Sequence, residues 1–146
     1  MAGLVAVAAS HAATSNADIL DVRLGGDQVQ TRLVIDLDHA TAGKLVADGA
    51  ANGRVVLLLG GVSAGHGHQG AGEALVRRWL IDSAGGSARL QMDIAAGSKV
   101  KRRFLLPPAD GVDHYRYVVD IAPAPGAAAQ LASDAARPPA LALRTR

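Results

Sequence analysis

The chain contains no cysteine. That absence removes a disulfide framework, thiolate zinc sites and thiol catalysis at once, and it leaves the redox compartment open. Aromatic residues are nearly as scarce, since one Trp, one Phe and two Tyr make up 3% of the composition. The core must therefore be aliphatic, and a surface that stacks nucleic-acid bases has few rings to work with. Charge of one sign is also lacking. Fifteen Lys and Arg against thirteen Asp and Glu leave a formal net charge of +2, enough to suit a carboxylate- or phosphate-bearing partner but far from the basic stripe of a nucleic-acid binder. No run outside the first residues approaches the roughly 20 apolar residues that a spanning helix requires.

What is present is hydrophobic (49%) and rich in glycine, 17 residues in 146. That length fits one domain with one core. Residues 1–16 are small and apolar and then turn polar; with Ser10-His11-Ala12 as a cleavage site they look like a secretory signal peptide without its basic beginning, or else a disordered Ala-rich leader. From Pro123 onward Pro and Ala dominate and Pro138-Pro139 forbids a continuing helix, so residues 124–146 read as an interdomain linker toward a further domain.

Between these ends, β-branched runs alternate with Gly, Asp, Asn and Pro punctuation, the pattern of an all-β chain. Eight strands are expected: Ile19 to Leu24, Thr31 to Asp38, Lys44 to Ala47, Arg54 to Leu59, Leu75 to Ile81, Ala88 to Ile94, Val100 to Leu106 and Tyr115 to Ile121. The Gly-rich segment Gly60 to Gly72 carries no strand pattern and reads as a flexible connection between two sets of four. The sets look alike: RLVIDL at Arg32 matches RLQMDI at Arg89, and RVVLLL at Arg54 matches RYVVDI at Arg116. The expectation is a β-sandwich of two four-stranded sheets, one copy laid on the other and related by an approximate internal two-fold repeat.

Period-two sorting puts Leu33, Ile35 and Leu37 on one face of their strand and Arg32, Val34 and Asp36 on the other. Leu90, Met92 and Ile94 oppose Arg89, Gln91 and Asp93 in the same way, and Tyr117, Val119 and Ile121 oppose Arg116, Val118 and Asp120. An Arg and an Asp four residues apart lie about 13 Å from each other along a strand, so any pairing must be across strands. Two readings stand. The charges are solvated outer positions worth a few tenths of a kcal/mol per pair, or the repeated arginines form a recognition surface for an anionic polymer.

The residues ILDVRLGG, TRLVIDLD, KLVADG, RVVLLLGGV and FLLPPADGVDHYRYVVDIAP together resemble the AMIN domain that precedes the catalytic domain of periplasmic N-acetylmuramoyl-L-alanine amidases. The resemblance covers about Ala17 to Pro123, and the last motif is especially like the alphaproteobacterial members. It implies a periplasmic, non-catalytic two-sheet module that binds peptidoglycan and targets the amidase to the septum during cell-wall turnover and daughter-cell separation, with division-site proteins as further partners. The family's R-x-V-x-D element matches Arg32, Val34 and Asp36 and again Arg116, Val118 and Asp120. The copy at Arg89 has Gln91 for Val, and the copy at Arg54 has Leu58 for Asp. The implied peptidoglycan contacts are Arg32, Asp36, Arg89, Asp93, Arg116 and Asp120, with no cofactor in this chain and zinc expected in a following catalytic domain.

Other residues invite other chemistry. His66-Gly67-His68 could hold zinc in a flexible loop, but a catalytic zinc needs three protein ligands. Lys99, Lys101, Arg102 and Arg103, with Arg77 and Arg78, form a basic run that suits a solvated strand face, glycan or lipid anions, or least well nucleic acid. Trp79 is either core or a ring for stacking on a sugar. No serine sits in a G-x-S-x-G elbow, and the aspartates do not form the differently tuned pair of a glycosidase. The alternatives to the amidase module are the similar wall-anchoring domain of a secretin or pilus assembly protein and a zinc enzyme using His66 and His68.

Overall fold

The computed structural model describes residues 16–126. The expected leader and linker lie outside them, apart from residues 16 and 124–126. Ten strands follow one another: β1 (Ala17–Gly26), β2 (Thr31–Leu37), β3 (Gly43–Asp48), β4 (Arg54–Gly60), β5 (Val62–Ser63), β6 (His68–Glu73), β7 (Val76–Ala84), β8 (Ser87–Ile94), β9 (Ser98–Leu106) and β10 (Tyr115–Pro123). They form two five-stranded sheets, ordered β5-β1-β2-β10-β9 and β3-β4-β8-β7-β6.

All eight expected strands are present, and alternation explains them. Leu33, Ile35 and Leu37 on β2, Val55, Leu57 and Leu59 on β4, Leu90, Met92 and Ile94 on β8, and Tyr117, Val119 and Ile121 on β10 are all buried in one continuous cluster. Each strand contributes every second residue to the space between the sheets, as a half-buried pleated surface requires.

Two expectations are corrected. The sheets have five strands each, not four, and neither sheet is one half of the chain: β1 and β2 lie with β9 and β10, while β3 and β4 lie with β7 and β8. The segment Gly60 to Gly72 is not a structureless connection. Val62–Ser63 pairs in parallel with Ala17–Asp18 of β1, and His68–Glu73 pairs with β7 as the edge of the second sheet. Here glycine supplies close approach within a strand. Gly70 faces Trp79 in register, and a Cβ on it would meet the indole at 2.7 Å, so the strand needs the missing side chain to let the ring lie across it. Trp79 is half-buried against the core.

Polar ties hold the two sheets at their edges. The Arg103 guanidinium on β9 donates to the Gly43 carbonyl of β3 at 3.0 Å and to the Tyr117 hydroxyl at 2.9 Å. Thr31, fully buried on β2, accepts at its hydroxyl from the Leu75 amide at 3.0 Å. Both ties satisfy backbone groups that the sheet ladders leave over.

Candidate functional site

The outward face of the first sheet is built by register. Asp120 on β10 lies directly opposite Arg32 on β2 and Arg102 on β9. Arg32 donates to both carboxylate oxygens, Nε to Oδ1 at 2.7 Å and Nη2 to Oδ2 at 2.9 Å, and Arg102 Nε donates to Oδ2 at 2.6 Å. Such forked, charge-assisted bonds are the strong class. Both guanidinium carbons stand over the Phe104 ring, 5.8 and 5.5 Å from its centroid, within cation–π range. Beneath this cover Asp120 has 0% side-chain exposure, while Arg32 and Arg102 keep 41% and 56%.

Electrostatics follow from that arrangement. Burial pushes the Asp120 carboxyl up, but the hydrogen bonds from Arg32 and Arg102 and their charges outweigh it and hold its pKa below the ordinary carboxylate value. Arg32 is raised in turn, first through its hydrogen bond with Asp120. Two guanidinium groups on one carboxylate leave one positive charge in excess, fixed in place and facing outward.

A second cluster occupies the other end of the same face. Asp36 and Arg116 are opposite in register, yet Asp36 accepts from Arg23 of β1 at 2.8 Å instead. The connection from β9 to β10 brings His114 over this end, its Nε2 3.4 Å from Asp36 Oδ1 without making a hydrogen bond. Arg116 Nε is likewise buried without a partner. Asp21, Arg23, Asp36, Val112, His114 and Arg116 line a cavity of about 250 Å³.

The second sheet carries its charges in the open. Asp93 on β8 accepts from Arg78 at 2.5 Å and lies 3.3 Å from Arg54 Nε, and its side chain is 29% exposed. The Arg78 hydrogen bond is the first cause that lowers its pKa. Arg89 pairs with Asp82 through a fork of 3.1 and 2.8 Å, which lowers the Asp82 pKa. A groove of about 420 Å³ runs beside Asp93, lined among others by Arg54, Gln69, Arg78, Trp79 and Gln91.

Of the six contact residues expected from sequence, Arg32, Asp36, Arg116 and Asp120 therefore share one face, and Arg89 and Asp93 sit on the other. The aspartates of the first sheet are not the solvated positions that alternation suggests: Asp36 and Asp120 are buried. Sequence reading missed Arg23, Phe104 and His114, and it placed Arg102 only in a basic run. The signal for Arg102 lay in the β9–β10 pairing, which sets it beside Asp120. His68 lies on the edge strand β6, and among the described residues no three His, Asp or Glu side chains gather as a metal site. No helix among them is long and apolar enough to cross a membrane. No protein-family model matches the chain, and no curated protein matches it significantly.

Proposed function

We propose that this chain is a non-catalytic, periplasmic module that binds peptidoglycan and targets an N-acetylmuramoyl-L-alanine amidase to the septum, and that the outward face of the first sheet is its contact. The carrying observation is the Arg32–Asp120–Arg102 trio. Asp120 spends its own charge in orienting two guanidinium groups, and Arg32 still has donors left of its five N–H groups after the two given to Asp120. A ligand carboxylate then meets donors whose side chains are already ordered, which lowers the entropy cost of binding. Arg23 and Arg116 extend the same face. Arg89 and Asp93, paired in the open on the second sheet, would be a secondary contact.

An internal duplication fits this reading. Exchanging strands six apart turns the order β1-β2-β10-β9 into β7-β8-β4-β3, which is the second sheet read from its β7 side. The sequence matches fall on the same exchanges, Arg32 with Arg89 on β2 and β8, and Arg54 with Arg116 on β4 and β10. Asp36 and Arg116 then correspond to Asp93 and Arg54, an arginine opposite an aspartate across the β2–β10 ladder and again across the β8–β4 ladder.

Co-sedimentation of the chain with purified sacculi tests the function. Pelleting that weakens as salt rises supports it, since exposed charges are screened. A chain that stays in the supernatant at low salt removes it.

A further inference from the structure

The groove on the outward face of the second sheet is built from two rungs of the ladder. Across β7, β8 and β4 run Arg78, Asp93 and Arg54, each opposite the next. One rung along, about 7 Å away at the strand rise, Gln69 of β6, Leu80 of β7 and Gln91 of β8 stand side by side. All six line the groove.

The first rung is spent on itself. Both arginines turn their Nε groups to Asp93, and exposed pairs of this kind are screened by salt. The second rung is free. The hydrogen bonds of this face join Arg54 and Arg78 to Asp93 and Arg89 to Asp82, and they use neither glutamine. Gln69 is exposed and Gln91 only partly covered. Leu80 lies between them, 37% exposed, as an apolar floor.

Two uncharged amides two strand spacings apart, about 10 Å, on either side of a leucine describe a ligand. A carboxamide presents donors and an acceptor in one plane and carries no charge, so it suits hydroxyl and acetamido groups. The floor takes the C–H face of a pyranose ring or an acetyl methyl, which gains by leaving water. An anion fits less well, because Asp93 stands between the two arginines of the groove. The volume of about 420 Å³ falls in the range of small-molecule sites.

We infer that this groove binds an uncharged N-acetylated saccharide, with Gln69 and Gln91 on its acetamido and hydroxyl groups and Leu80 beneath a ring. The groove's own residues are the ground for saccharide binding; that the saccharide is the glycan strand of the wall rests on the function proposed above. The two sheets then divide the ligand, with carboxylates on the first and sugars on the second.

The test is an NMR titration of the intact chain with tri-N-acetylchitotriose, following the side-chain amide signals of Gln69 and Gln91 and the methyl signals of Leu80. Cellotriose, which has the same linkage without acetamido groups, is the comparison probe. The expected result is saturable shifts of all three residues with chitotriose and about ten-fold weaker binding of cellotriose, the loss of one or two hydrogen bonds. The affinity should hold as salt is raised to about 0.5 M, since no charge is used. Gln91→Ala and Leu80→Ser should each weaken binding about ten-fold, whereas Gln28→Ala, in the exposed turn after β1, leaves it intact. No shift with chitotriose, an equal response to cellotriose, a response lost with salt, or one retained in Gln91→Ala or Leu80→Ser overturns the site. Sacculus binding reads separately: a chain that pellets but ignores chitotriose loses the groove site and keeps the wall reading, and a chain that binds chitotriose but never pellets does the reverse.

Discussion

On the first sheet, Asp120 has no exposed surface and holds two arginines against a phenyl ring; at the same place in the arginine-to-aspartate spacing, the second sheet has Leu58, facing an Arg89 that pairs with Asp82 instead. β10 is accordingly buried on both faces from Tyr117 to Ala122, whereas β8 alternates buried and half-buried residues. The difference teaches that one spacing serves two purposes. An aspartate under long side chains organises arginines, while an aspartate in the open merely pairs with them. Exposed pairs contribute little because water and salt compete for both partners, whereas a buried carboxylate depends on its partners absolutely.

The comparison breaks most sharply if the arginines above Asp120 are removed. Arg32→Met with Arg102→Met leaves a buried carboxylate unpaired and should cost about 3–5 kcal/mol of stability, read from denaturant unfolding. Adding Asp120→Leu to that pair should recover most of the loss, because an apolar trio leaves no charge behind.

Acid gives the next effect. The folded-state pKa of Asp120 is lowered from 3.8, so its contribution is complete above that unfolded value and disappears as pH falls through it toward the folded pKa. Asp93 and Asp82 act in the same direction. Unfolding midpoints measured from pH 6 down to pH 2 should fall steeply below about pH 4, and Asp120→Asn should flatten that fall more than Asp93→Asn does.

On the second sheet, Arg54→Met with Arg78→Met should change stability by less than about 1 kcal/mol, the range of exposed pairs. The smallest effect belongs to Arg116→Met, which removes a buried donor that has no partner. Its unfolding midpoint should be unchanged or slightly raised.

The strands and their inward faces were legible because alternation is a local property: TRLVIDL sorts its own leucines without reference to anything else. The strands β5 and β6 were hidden for the opposite reason. Their HQGAGE and VS sequences have no apolar period, and they exist because Trp79 and β1 offer surfaces to pair with. The depth of Asp120 was likewise invisible, since it depends on β9 lying beside β10 and on Arg102 and Phe104 facing outward there. Sequence placed Arg32, Asp36, Arg116 and Asp120 on outward positions and could not say that the aspartates lie beneath the arginines. His114 and Arg23 reach Asp36 only through the β9–β10 connection and the β1–β2 ladder.

The most direct measurement is sacculus co-sedimentation of the intact chain beside two variants of verified fold by circular dichroism, Arg23→Gln with Arg116→Gln on the first sheet and Arg54→Gln with Arg78→Gln on the second. The account predicts that the wild-type chain pellets, that the first variant pellets much less, and that the second pellets nearly as well as wild type. Equal pelleting of wild type and first variant, or none by any of them, would contradict it.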